Sequence, residues 1–293
     1  MTWPILALAL SLAWSVEGYR VDTGTTREID EWGVCQRVAN VTGKSLFVPT
    51  NSALEWTEFR ANLPVGVTIS TCSCPDIALR AASTNSDTGS SLVIAKPTGL
   101  AVDDVMVAHV AQRGGSSGTV LDTPTGWTKL ASDELMGSGG GSNSQRSAFY
   151  YKVATAGDVA ATDFTWSFSG ATNSIGGIQA YNNADPLGPI DDSSTMSDTA
   201  NIGTIDGTAV TTKYTGDMIV VMYAENGNLT FTPPGTFTER YDLANGTQIS
   251  AMGADELQSA AGSTGTLTAT LSGNDNRRTA KIVALRKDTL NCP

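Results

Sequence analysis

The chain is poor in the residues that carry most polar chemistry. Of its 293 residues one is histidine, His109, and four are cysteine. A single histidine excludes a metal centre built from several imidazoles. It also leaves one candidate base for a serine or cysteine nucleophile, and that base lies inside the apolar run Asp104–Ala111 (DVMVAHVA), where a core role is expected. Basic residues are scarce: 18 Lys and Arg against 29 Asp and Glu, for a net charge of −11. A phosphate backbone needs a basic face, so a nucleic-acid partner is not expected. The glycine-rich stretch Gly137–Ser142 (GSGGGS) lacks the Lys-Ser/Thr of a phosphate loop and reads as a hairpin tip. No cofactor, metal or catalytic residue is expected.

Long apolar runs are missing as well. The first sixteen residues, MTWPILALALSLAWSV, are too short for a membrane span and fit a signal-peptide core, with cleavage after Ser15 or Gly18. The other reading of residues 1–18 is a retained apolar arm that packs on a neighbouring subunit. What the chain has in quantity is glycine, serine, threonine and asparagine between short apolar runs. That mixture suits an all-β secreted or virion protein.

The cysteines bracket two regions. Cys35 and Cys72 enclose a small module, and Cys74 and Cys292 enclose all that follows. The nesting suggests the pairs Cys35–Cys72 and Cys74–Cys292, the first constraining the unfolded chain by roughly 4 kcal/mol. Four cysteines admit three pairings, and free thiols are the alternative. Residues 19–74 form the small αβ module. Arg20–Trp32 reads as a linker or short strand. Cys35–Val41 and Ser45–Pro49 read as a hairpin, and Ser52-x-x-Glu55 as a capping box opening a helix over residues 53–62. The segments Glu31–Cys35 (EWGVC) and Gly43–Thr50 (GKSLFVPT) resemble a short module of secreted and phage-related bacterial proteins.

From Pro75 the pattern is that of strands. Asp163–Ser169 (DFTWSFS) alternates, with Phe164, Trp166 and Phe168 on one face. Asp104–Ala111 is continuously apolar, which predicts a strand buried on both faces. The order then repeats about a hundred residues later. Asp217–Ala224 answers Asp104–Ala111, Thr232–Thr238 answers Thr123–Thr128, Leu267–Gly273 answers Phe164–Gly170, and Thr279–Arg286 answers Ser174–Tyr181. The expected fold for residues 75–293 is therefore mostly β. It is an antiparallel, jelly-roll-like β-sandwich built from two quasi-repeats, about 92–182 and 205–287. A single sandwich of ten or more strands is preferred to two small ones.

The segments Leu92–Gly115, Thr123–Leu130, Phe149–Gly170, Gly176–Asp191, Thr232–Asp242 and Gly253–Gly273 resemble a β-sandwich unit of tailed-phage fibre and virion-surface proteins, also found in secreted bacterial surface proteins. The resemblance implies a particle-surface or extracellular sandwich used for attachment or assembly. It carries no catalytic residues. The expected function is a structural virion-surface subunit (fibre, spike or decoration protein) that touches host glycans. The alternative is a secreted bacterial adhesin or filament subunit. The expected partners are other subunits and host surface polysaccharide.

Contact residues are expected in the loops at the sandwich ends. Arg113, Asn143, Arg146, Asn226, Asn228, Asn274, Arg277 and Arg278 are the candidates, the arginines facing acidic polysaccharide. Asp185, Asp191, Asp192, Asp198 and Asp206 have the oxygen chemistry of a calcium site but read as a solvated, turn-rich loop. Glu225, Glu239, Asp242, Asp255 and Glu256 supply carboxylates without the pairing that glycoside hydrolysis would require.

Overall fold

The computed structural model describes residues 74–113, 122–131, 144–168 and 173–288 in full, together with strand backbone at 18–21, 26–29, 35–39, 46–49, 68–71 and 134–136. The chain divides into a unit of residues 1–74 and 289–293 and a unit of residues 75–288.

In the smaller unit the strands are β1 (Gly18–Val21), β2 (Thr26–Ile29), β3 (Cys35–Ala39), β4 (Leu46–Pro49) and β5 (Thr68–Thr71). The hairpin expected between Cys35–Val41 and Ser45–Pro49 does not form. Strand β3 lies between β2 and β5, and β4 pairs with β1. The polar segment read as a linker or short strand supplies two of these partners, β1 and β2. The helix expected at 53–62 lies outside the described residues.

The larger unit is almost entirely β, in several antiparallel sheets consistent with a sandwich. Its first half contains β6 (Ala78–Asp87), β7 (Ser91–Ala95), β8 (Val105–Arg113), β9 (Thr128–Lys129), β10 (Glu134–Met136), β11 (Gln145–Val153), helix α1 (Ala156–Ala160), β12 (Asp163–Ser167) and β13 (Asn173–Asn182). The second half contains β14 (Ile190–Asp198), β15 (Ile202–Gly207), β16 (Thr211–Thr212), β17 (Asp217–Glu225), β18 (Phe231–Thr232), β19 (Thr238–Asn245), β20 (Ile249–Gln258), β21 (Gly262–Ser263), β22 (Leu267–Asp275) and β23 (Arg278–Leu285).

Pairing is nested in both halves. In the first, β6 pairs with β13, β7 with β12 and β8 with β11. In the second, β14 pairs with β23, β15 with β22, β16 with β21 and β17 with β20. The large sheets run β10-β11-β8-β13-β6 and β19-β20-β17-β23-β14, the same order element for element. Short outer sheets cover them: β7 with β12 in the first half, and β15, β22 and β18 in the second.

Burial explains the sequence pattern. Alternate residues of β8, among them Met106, Ala108 and Val110, join Leu92, Ile94, Tyr150 and Trp166 in a core beneath the outer sheet. The intervening Val105 and Val107 meet Phe149, Tyr181, Met218, Val220, Met222 and Val283 in a second core, where the two large sheets face each other. Strand β17 divides in the same way, with Ile219, Val221 and Tyr223 under its own outer sheet. Four β layers are thus stacked, and the central strands are apolar throughout because both of their faces are dry. Each such side chain contributes about 1.5–3 kcal/mol of transfer free energy.

The segment from Asp185 to Asp206 is not the solvated loop expected from its composition. It forms β14 and β15. Strand β14 is an edge strand with half-buried Ser, Thr and Met, so it carries no apolar alternation for a reader to find.

Candidate functional site

The seam between the two large sheets holds most of the unit's buried polar chemistry. Asp255 on β20 is 2% exposed. Its carboxylate accepts hydrogen bonds from Arg240 Nε and Nη2 at 2.9 and 2.6 Å on its own sheet, and from Tyr181 Oη at 2.8 Å across the seam. Gln179 Nε2 donates to Tyr181 Oη at 2.7 Å. Burial, followed by the neighbouring Asp255 charge, holds the Tyr181 phenol well above its ordinary range, so it stays a donor. Beside this network the Tyr241 ring lies against Gly177 of one sheet and Gly253 of the other. A Cβ added at either glycine would come within 2.5 or 2.4 Å of the ring. Glycine is required at both positions because a side chain there would push the layers apart. Further along, Ser147 and Thr279 hydroxyls bond across the seam at 2.8 Å. Lys281 Nζ reaches Ser193 Oγ and Thr195 Oγ1 at 3.1 and 3.0 Å.

His109 is wholly buried in this seam and stacks on Phe149 with ring centroids 4.6 Å apart. Both ring nitrogens are buried without a hydrogen-bond partner, and burial lowers the imidazole pKa to about 3. An uncharged, unpartnered ring is costly, because each unsatisfied polar atom forfeits its hydration. Met222 occupies the matching place on β17, buried in the same seam. His109→Met is therefore expected to be neutral or to stabilise by about 1 kcal/mol in urea denaturation. A loss of several kcal/mol would show that the imidazole makes an essential polar contact.

The loop-end candidates gather at one end of the seam. Arg113, at the end of β8, donates from Nη1 to the carbonyls of Thr247 (3.2 Å) and Gln248 (3.0 Å). Arg146 sits beside it, half-buried, in register with Gln112. The backbone N–H groups of Asn226 and Arg277 both donate to Asp275 Oδ2, at 3.0 and 3.1 Å. Asn226 is buried, Arg277 is half-buried, and Asn228 and Asn274 are exposed. Arg278 does not fit its expected role. It is 1% exposed, pairs with Asp198 and caps the Thr204 carbonyl, so the guanidinium ties β23 to β14 and β15 instead of facing solvent. The strand reading of Asp185–Asp206 was needed to see this, since both partners lie in it. Asn143 lies outside the described residues. So do Cys35, Cys72 and Cys292 as side chains, whereas Cys74 is half-buried and disulfide-bonded.

Glu225, also at this end, is fully buried. Its Oε1 accepts from Leu229 N–H at 2.9 Å, and burial raises its pKa to about 7. Asp217, at the opposite end of the same strand, is likewise buried. Its pKa also rises to about 7, chiefly through burial, with the Asp191 carboxyl adding to the shift and the Lys287 N–H opposing it. The remaining aspartates of the segment are each committed separately: Asp185 to Arg286, Asp191 to Lys213, Asp192 to Thr211 N–H and Asp206 to Thr268. Among the described residues no three acidic, His or Cys groups converge as a metal cluster.

One open groove of about 350 Å³ lies on the second sandwich, lined by Ile219, Phe237, Glu256, Gln258, Ser263 and Leu267 among others. Glu256 accepts from Thr236 Oγ1. In the sequence Glu256 stands only among scattered carboxylates, and Phe237 only in the segment Thr232–Thr238 that matches Thr123–Thr128, opposite Trp127; no motif joins the two.

Set against protein-family models, curated proteins and solved structures, the chain shows no significant match to any of them.

Proposed function

We propose that this chain is a structural subunit of a particle surface, a fibre, spike or decoration protein of a tailed phage or phage-like particle, which contacts host glycans. The observation that carries the reading is the nested strand pairing, present twice with the same sheet order. First-with-last pairing is the topology of a jelly roll, an architecture of viral capsid and lectin domains. Here it arises as two quasi-repeated rolls joined through their large sheets. Asp255, Tyr181, Gln179 and Arg240 of the seam bond one another, which supports a structural or display role over a catalytic one. The resemblance of residues 75–287 to phage-fibre sandwiches supports the same setting, and fold analogy of this kind favours a class of role without specifying a reaction.

The disulfide-bonded Cys74 favours a second reading, a secreted bacterial adhesin or filament subunit, because disulfides persist in oxidising compartments. Two measurements separate them. Immunogold labelling is expected to decorate purified particles, and the native N-terminus by mass spectrometry is expected to be uncleaved. Label on cell envelopes or filaments, with a mature start at Val16 or Tyr19, would overturn the particle reading in favour of secretion.

A further inference from the structure

Among the differences between the two halves of the larger unit, one falls where strand register aligns them residue for residue. Met106 pairs with Lys152 in the first, and Ile219 with Glu256 in the second. Each half also has a turn that delivers an aromatic side chain. Trp127 N–H donates to the Pro124 carbonyl at 3.1 Å, and Phe237 N–H to the Pro234 carbonyl at 2.9 Å.

In the first sandwich this place is filled. Trp127 is 5% exposed and packs edge-on against Phe164, with centroids 5.4 Å apart. The chain after β11 turns into α1, whose Val159 packs on the core. Asp158 of that helix pairs with Lys152 at 2.6 Å, and Lys96 Nζ holds the Val159 carbonyl. In the second sandwich no helix follows β20. The chain leaves sideways to pair as β21 with β16, held there by Gln258 Nε2, which donates to Thr212 Oγ1 and to the carbonyls of Ala260 and Gly262 at 2.9–3.1 Å. The groove beside Phe237 and Glu256 lies along this exit, with Ser259, Ala260, Ser263 and Thr264 in its wall.

We propose that this groove is a binding site for a short neutral saccharide. The inference rests on the glycan-contact part of the surface-protein reading and gives that contact a place and a ligand class. Its size is near the lower end of ligand clefts, about 300–1,000 Å³, which suits one or two sugar rings. Phe237, half-buried, offers apolar surface to the C–H face of a ring, with the buried Ile219 and Leu267 at the floor behind it. Glu256, held by Thr236 Oγ1, is an acceptor for sugar hydroxyls, and such charge-assisted bonds are the stronger kind. No Lys or Arg lines the groove, and the chain carries a net charge of −11. An anionic sugar would meet an unscreened carboxylate with no cation to pair with it. The arginine-rich loop end, first expected to receive acidic polysaccharide, is a separate place whose Arg113 and Arg278 hold the fold together.

The test is an NMR titration of the full chain with maltotriose, mannotriose and chitotriose, and with trigalacturonate as the anionic probe. A neutral probe is expected to shift the amides of Phe237, Glu256 and Ser263 at millimolar concentrations. Glu256→Gln is expected to weaken binding about tenfold, the loss of one charge-assisted hydrogen bond. Ser263→Trp, an exposed position whose new ring would fill the groove, is expected to remove binding. Amide spectra of both variants report whether the fold is kept. No shift with any neutral trisaccharide, a response to trigalacturonate alone, or binding that survives both substitutions would overturn the proposal. Particle labelling that stays positive in those cases leaves the surface reading standing.

Discussion

Asp255→Ala is expected to destabilise the protein by about 3–5 kcal/mol, because it strips the partner from a half-buried guanidinium and a buried phenol at once. Arg240 is 27% exposed as a side chain, so part of its charge can rehydrate; Tyr181 is fully buried and has no such recourse. The carboxylate belongs to the second sandwich and the phenol to the first, so the network joins the two halves as well as the strands within one. Tyr181→Phe removes the cross-seam bond and the bond that Tyr181 Oη accepts from Gln179, keeps the Arg240 pair, and is expected to cost about 1–3 kcal/mol. The comparison in urea denaturation is therefore diagnostic. If Asp255→Ala costs no more than Tyr181→Phe, the arginine pair contributes nothing and the seam is held by its apolar contacts alone.

Melting temperature is expected to fall as pH rises from about 4 to about 7, the reverse of common acid denaturation. Asp217 and Glu225 start from ordinary values of 3.8 and 4.5 and stand at about 7 in the folded protein. In that window the folded state holds two protons that the unfolded chain has released. Their stabilisation is complete below the unfolded values and lost as pH passes the folded ones. His109 acts in the opposite sense. Its pKa falls from 6.5 to about 3, so its contribution is complete above 6.5 and declines on acidification. Two carboxyls against one imidazole leave one excess folded-state proton between about pH 4.5 and 6.5, and the carboxyl slope prevails. Asp158 and Asp198, whose pKa values are lowered, add acid sensitivity only below the ordinary carboxyl range. The double variant Asp217→Asn, Glu225→Gln is expected to melt higher than the parent at pH 8 and to lose the downward slope. A parent protein equally stable at pH 5 and pH 8 would show that these carboxyls are hydrated in solution.

Much of this fold was legible because its signals are local. The run DVMVAHVA announced a strand with two dry faces, and DFTWSFS alternates as an outer strand must, with Phe164 and Trp166 in and Thr165 out. What stayed hidden depends on tertiary context. Strand β14, IDDSSTMSD, has no pattern of its own and is a strand only because β23 offers it a ladder. Arg278 reads as a loop cation until that ladder sets Asp198 beside it. Helix α1 is a five-residue element declared by a capping box, Thr155 with Asp158, too short for any periodicity. The groove was least accessible of all, since its lining comes from separate segments, at Ile219, Phe237 and residues 256–267, and belongs to no single motif.

The nesting of strand pairs has a consequence for how the chain reaches this state. Strand β6 waits for β13, and β14 for β23, so each half closes only when its last strand has been made. Such non-local pairing folds slowly, on the scale of milliseconds to seconds in small β domains. At a synthesis rate of about 5–20 residues per second, the first half is complete for several seconds before the second. During that interval Val105, Val107, Phe149 and Tyr181 form an uncovered apolar face. A nascent chain in this condition exposes an apolar face, interrupted by His109, Gln145, Ser147 and Gln179, until the second half covers it.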